Sequence, residues 1–206
     1  MTTGTPTATA TSGRRREAVL SLRRLVWCFL SWSLWASVSG WSAEPVSREY
    51  QLKAAFLYNF TKFIEWPPGR TQNKNAPILI GVLGNNPFGD ELAKAVEGRF
   101  QNGHPFLVTN VTTVGEVKAV HLLFVPRGQE QLLQEHAAAL LAAGVLTVGE
   151  SEAAATCGSA ITFATEADKI RFEINLEAMD HGGFKVSSKL LQLAKVVRRK
   201  PQEGPS

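Results

Sequence analysis

Apolar side chains recur at helical spacing between Ser47 and Trp66. Tyr50, Ala54, Leu57 and Ile64 form one line. Leu52, Phe56, Phe60 and Phe63 form the next, and Arg48, Gln51, Lys62 and Glu65 take the remaining stripe. A period near 3.6 with so wide an apolar face predicts a helix covered over more than half its circumference. Ser47 is the expected N-cap, and Pro67-Pro68-Gly69 forces a stop. Beyond a polar loop at 70–76 the pattern changes. Pro77 to Gly84, Phe106 to Val111, Val120 to Val125 and Val145 to Val148 are short apolar runs of the kind that fill a strand buried on both faces. Helical stretches lie between them, from the Asp90 region to Glu97 and from Gln129 to Ala143, the latter ended by Gly144. A short one follows at Ser151 to Ala155. The sequence thus predicts an α/β fold with a mostly parallel sheet flanked by helices.

Two further segments, Ser159 to Ala164 and Ile170 to Asn175, read as an antiparallel C-terminal hairpin around Glu166-Ala167-Asp168. Ile170, Phe172 and Ile174 alternate with Arg171 and Glu173 there, the pattern of a half-covered strand. Leu190, Leu191, Leu193, Ala194, Val196 and Val197 predict a last helix, with Arg198-Arg199-Lys200 complementing its C-terminal dipole. Asn175, at the end of its strand, is the expected cap of the short helix that follows it. No repeat or long linker divides the chain, so residues 44–198 are expected to form one domain, followed by a disordered tail at 199–206.

Charge changes the picture at the N-terminus. The chain of 206 residues carries 22 basic and 18 acidic side chains, a net +4. Residues 1–43 hold five of the basic ones (Arg14, Arg15, Arg16, Arg23, Arg24) and a single acid, Glu17, so the whole excess lies in that stretch. An apolar run from Leu25 to Val38 follows the arginines, and small residues (Ser37, Ser39, Gly40, Ala43) close it. Positive, then apolar, then small is the order of a cleavable secretory signal. Cleavage after Ser39 or Gly40 fits better than after Ala43, which would place Trp41 three residues from the cut. An uncleaved anchor is the competing reading, although the run is short for a membrane span. Cys28 follows Trp27 rather than a small residue, which disfavours a lipoprotein signal. The remainder is neutral, which argues against a nucleic-acid partner.

Catalytic chemistry finds no purchase. His104, His121, His136 and His181 form no metal-ligand spacing, and His121, inside an apolar run, reads as a satisfied core histidine. Asp168, Glu173 and Glu177 make no acid–base pair. No nucleophile elbow or phosphate loop is present. No catalytic residue, metal or cofactor is therefore expected. Gly81, Gly84 and Gly89 follow the first strand, so Gly84, Asn85 and Asn86 form a candidate ligand turn, against the simpler reading of a tight strand-to-helix connection. Outside the leader Cys157 has no cysteine partner. It is either a small buried thiol or half of an intermolecular disulfide. Tyr58, Asn59, Lys62, Glu65 and Trp66, towards the polar side and end of the first helix, and Phe88, in a turn, are the candidate partner-binding residues.

Five segments together carry a family resemblance: Tyr50 to Pro67 (YQLKAAFLYNFTKFIEWP), Ile80 to Gly89 (IGVLGNNPFG), Val145 to Glu150 (VLTVGE), Ile170 to Asn175 (IRFEIN) and Ser187 to Ala194 (SSKLLQLA). In this order they resemble the YfiR-like periplasmic regulatory proteins over about residues 48–198. The resemblance implies a small exported α/β domain without catalytic activity that forms a homodimer. It also implies repression of an inner-membrane diguanylate cyclase through that enzyme's periplasmic sensor domain, lowering cyclic di-GMP and with it biofilm formation. The expected partner is thus the periplasmic domain of a membrane diguanylate cyclase or sensor kinase. Family members can carry disulfides tied to periplasmic redox state, but here Cys157 stands alone. The alternative is a periplasmic small-molecule-binding sensor adjunct, with the ligand at the Gly84 turn.

Overall fold

The computed structural model describes residues 45–73, 76–167 and 169–200, with side chains from Arg48 onward. The leader, residues 201–206 and Asp168 lie outside the described residues, as do the expectations that fall on them. Helix α1 spans Pro45–Phe63. It starts at Pro45 rather than at an N-cap on Ser47, because proline's missing N–H costs nothing in a first turn. The end also differs from expectation. Ile64–Glu65 is a two-residue strand, β1, paired antiparallel with β9 (Lys185–Val186), so Trp66 is not helical.

The main sheet has eight strands in the order β10-β8-β7-β6-β5-β2-β4-β3. Strands β2 (Ile78–Leu83), β4 (His104–Val111), β5 (Leu122–Val125), β6 (Leu146–Gly149) and β7 (Ile161–Glu166) run parallel. Strand β8 (Lys169–Asn175) returns antiparallel from β7, as expected from the alternation of Ile170, Phe172 and Ile174. The helices between are α2 (Glu91–Val96), α3 (Val114–Ala119), α4 (Gln131–Ala142), α5 (Glu152–Thr156), α6 (Leu176–His181) and α7 (Ser188–Leu191).

Apolar residues form two clusters. Leu57 and Phe60 of α1, Leu92 of α2 and Met179 of α6 pack with Ile80, Phe124, Phe163 and Phe172. Val117 of α3, Leu133 and Leu140 of α4 and Ala154 of α5 pack with Leu83, Leu123 and Val125. Neighbouring residues of β5, Leu123 and Phe124, fall in different clusters, as alternation in a strand requires. Gly81 in β2 admits Val120: an added Cβ would lie 2.9 Å from that side chain. Gly144 stops α4 at φ 72°, where a side chain would be strained.

Three elements depart from the sequence pattern. A hairpin joins β3 (Phe100–Gln101) to β4 across Asn102 and Gly103, at φ 52° and 90°. Asn-Gly is the pair that such a tight turn favours. Helix α3 starts with a capping box, in which Glu116 N–H donates to Thr113 Oγ1 and Thr113 N–H donates to the Glu116 carboxylate. The expected helix over 190–197 is instead the short α7 followed by β10 (Lys195–Val197), parallel to β8. Arg199 consequently does not end a helix. Its N–H donates to Asn175 Oδ1, and its guanidinium donates to Glu173.

A charged crevice and an aromatic cleft

The crevice begins with Lys53. Its position on α1 aligns with Leu57 and Phe60, so the helix that buries them also buries the lysine, which is 3% exposed. An ammonium in that place requires carboxylates. Lys53 Nζ lies 2.6 Å from Glu150 Oε2 and 2.6 Å from Glu49 Oε1. Glu150 follows β6 directly and is 6% exposed. Its carboxylate also accepts from Tyr50 Oη at 3.1 Å and from the Arg127 N–H at 2.9 Å. Three groups, Lys53 and Tyr50 of α1 and Arg127 of the β5–α4 loop, thus converge on the C-terminal end of β6. Burial first, and the Glu150 charge second, push the Tyr50 hydroxyl above its ordinary range. Lys53 Nζ sits 4.6 Å from the Tyr50 ring centroid, a cation–π contact that orients the aromatic ring.

These groups form one wall of a crevice of about 450 Å³, which Thr162, Ala164, Glu173, Lys195 and Arg199 also line. On that far side Glu173 is shared by Arg199 and by Lys195, whose Nζ is 3.9 Å away. Sequence reasoning passed over both Lys53 and Glu150. The available signal was a lysine at a position where the helical period demanded an apolar residue.

The candidate partner residues separate. Lys62, Glu65 and Trp66 line a second cleft, of about 330 Å³, together with Ile78, Asn102 and His104. Trp66 Nε1–H donates to the His121 carbonyl at 3.2 Å, which holds the indole against the sheet. Tyr58 lies edge-on to Phe106 with centroids 5.6 Å apart, and the Arg99 guanidinium is 4.5 Å from its ring centre. Asn59 is half-buried. Phe88 corrects the expectation. Expected at a partner surface, it is instead 3% exposed and packs between Tyr50 and Phe124. The polar turn residues around it are satisfied by the local backbone, which leaves the phenyl ring free to enter the core.

The Gly84 turn is occupied by its own structure. Asn86 Oδ1 accepts from the Phe88 N–H and Asn86 Nδ2 donates to the Gly89 carbonyl. The Gln129 side chain lies 3.4 Å from where a Cβ on Gly84 would be. Asn85 is exposed. Asp90 stands at the start of α2 without making a side-chain cap. Cys157 is half-buried beside the α4–α5 cluster, and burial raises its thiol pKa, which lowers its reactivity. His121 is satisfied on both nitrogens: Nδ1 accepts from the Leu79 N–H and Nε2 donates to the Arg70 carbonyl. Burial holds its pKa below the usual histidine value. Among the described residues no group of three or more His, Cys, Asp or Glu side chains could hold a metal ion, and no helix is long and apolar enough to cross a membrane.

Comparison with known proteins places the chain in a family. No curated protein matches the chain. A solved structure, a conserved domain protein from Vibrio cholerae O1 biovar El Tor strain N16961, aligns with 11% identity and a TM-score of 0.42 over 74% of this chain. The alignment covers 60% of that protein's chain. The YfiR/HmsC-like family profile matches residues 50–195, from the tyrosine beside Glu150 to the first residue of β10. The chain belongs to the YfiR/HmsC-like family.

Proposed function

We propose that this protein is a non-catalytic periplasmic regulator. It binds and represses the periplasmic sensor domain of an inner-membrane diguanylate cyclase and so lowers cyclic di-GMP. The family match over residues 50–195 carries this reading, because the YfiR/HmsC-like family is one of periplasmic regulators of diguanylate cyclases. The signal-like leader supports export. A repressor of this kind works only by binding one state of its target more tightly than the other. The surface we assign to the partner is the cleft of Lys62, Glu65 and Trp66 with the neighbouring Tyr58 and Asn59, where aromatic and charged groups lie together at the end of α1. The test is co-purification of this protein with the isolated periplasmic domain of the cyclase. Retention by wild type and loss with Trp66→Ala or Lys62→Glu is expected. No retention of the wild-type protein would remove the reading.

A second reading keeps a small molecule as the input. The crevice between Arg127 and Lys195 has the volume of a metabolite site and stands near the carboxyl ends of parallel strands. Its position replaces the Gly84 turn as the place to look. Thermal-shift screening of metabolites against wild type and Arg127→Ala is the test. A ligand that stabilises only the wild type would support it.

A further inference from the structure

Two histidines stand near Trp66, and their hydrogen bonds differ in kind. His104, at the start of β4, is 5% exposed, and its Nδ1 lies 2.8 Å from the Ala76 carbonyl. A carbonyl only accepts, so this nitrogen donates, a role that survives protonation of the ring. His121, directly before β5, is held differently. Its Nδ1 lies 3.1 Å from the Leu79 nitrogen, and its Nε2 lies 3.0 Å from the Arg70 carbonyl. A backbone N–H only donates and a carbonyl only accepts, so the two neighbours fix the ring as the neutral Nε2–H tautomer. An imidazolium carries a proton on each nitrogen and accepts on neither. Protonation therefore sets two donors against each other, Nδ1–H and the Leu79 N–H.

The clasp broken in this way also positions Trp66. The His121 N–H donates back to the Leu79 carbonyl at 2.9 Å, which makes the contact between β2 and the entry to β5 reciprocal. The His121 carbonyl accepts from the Leu146 N–H at 2.8 Å and from Trp66 Nε1–H at 3.2 Å. The indole stands edge-on to the imidazole, with centroids 6.3 Å apart. In the loop after Trp66 the Arg70 guanidinium donates to the Val120 and Lys118 carbonyls, but its Nε is buried without a partner. Nothing around the ring favours a charge on it. Arg70 from the loop and His104 from β4 act on it electrostatically, and both are basic. Lys118 of α3 contributes only its carbonyl, to Arg70, and Lys62 and Glu65 line the cleft without bonding to the ring. Burial first, and the Arg70 charge after it, keep the imidazole neutral until the surroundings turn acidic.

We propose that protonation of His121 is an acid switch on the Trp66 cleft. The ring takes a proton from water at Nδ1 and leaves Leu79, the His121 backbone shifts with it, and the indole is released from the sheet. A partner seated in the cleft is let go in acid. That last step rests on the regulatory reading above, and the switch itself does not.

NMR of the 15N-labelled protein between about pH 8 and about pH 5 tests it. At the upper end the His121 ring is expected as the Nε2–H tautomer. On acidification the Trp66 Nε1–H and Leu79 N–H signals should shift together with that ring, with a midpoint below 6.5. His121→Gln, which offers a donor and an acceptor that do not titrate, should hold both signals constant, whereas His104→Gln should leave the titration in place. An Nδ1–H tautomer at the upper end, or Trp66 and Leu79 signals that ignore the His121 titration, would overturn the switch, and both are read on the wild type alone. Retention of the cyclase domain is compared at the two ends of the range. Loss in acid by wild type but not by His121→Gln supports release of the partner, and equal retention by wild type at both ends overturns it. No retention at either end beside a titrating Trp66 removes the regulatory reading and leaves the switch standing.

Discussion

Glu150 and Glu173 line the same crevice, and each holds several partners, but they differ in what surrounds them. Glu150 is almost fully enclosed, and its charge meets the Lys53 ammonium, the Tyr50 hydroxyl and the Arg127 N–H. Glu173 is itself 12% exposed, but the side chains it faces, Arg199 and Lys195, are 43% and 67% exposed. A water-screened pair contributes little, and its loss is repaired by solvent. A buried charge stripped of its partner has no such repair. The first wall is therefore structural glue between α1 and the sheet. The second is a surface whose side chains can be rearranged by a ligand or a partner.

Substitutions can separate the two walls. The largest effect is expected from Lys53→Ala, which leaves Glu150 buried without its ammonium and should cost about 3–5 kcal/mol in urea unfolding. A loss below about 1 kcal/mol would show that Glu150 is solvated and that the contrast is false. Next comes Tyr50→Phe, which removes a hydrogen bond to a charged acceptor and should cost about 1.5–3 kcal/mol. The same hydroxyl provides a pH test. Its pKa is raised on folding, so the native state keeps a proton that the unfolded chain gives up near 10.0. The stability this group contributes is complete below that pH and falls as pH climbs beyond it. Tyr50→Phe should flatten this part of the profile. His121 acts at the other end. Burial lowers its pKa from 6.5, so its contribution is present above that value and is lost as pH falls below it. The smallest effect belongs to Glu173→Gln, expected to change stability by under about 1 kcal/mol and to shrink further in high salt.

Much of the fold was legible because its signals are local. Strands β2, β5 and β6 are apolar runs buried on both faces, and the β7–β8 hairpin shows in the alternation of Ile170, Phe172 and Ile174. Asn175 caps α6 as its type and position suggest, accepting from the Glu177 N–H. Two missed elements also carried local signals: Asn102-Gly103 for the β3 hairpin, and Thr113 with Glu116 for the start of α3. Strand β10 was a different failure. Its apolar residues continue the helical period from Leu190, but pairing with β8 through Lys195, Val196 and Val197 overrides that period, and no local feature announces it. Phe88 was misplaced for a similar reason. A turn residue reads as exposed, and only the fold reveals that Tyr50 and Phe124 enclose it. The pairing of Lys53 with Glu150 spans 97 positions, so the helical period can mark Lys53 as out of place but no neighbour of either residue points to the other.

The regulatory claim is tested most directly by cyclic di-GMP measured in cells that lack this protein, in cells that overproduce it, and in the same pair carrying a catalytically dead cyclase. Cyclic di-GMP is expected to rise on deletion and to fall on overproduction, both effects being abolished when the cyclase is dead. Cyclic di-GMP that stays constant across deletion and overproduction with an active cyclase would contradict it.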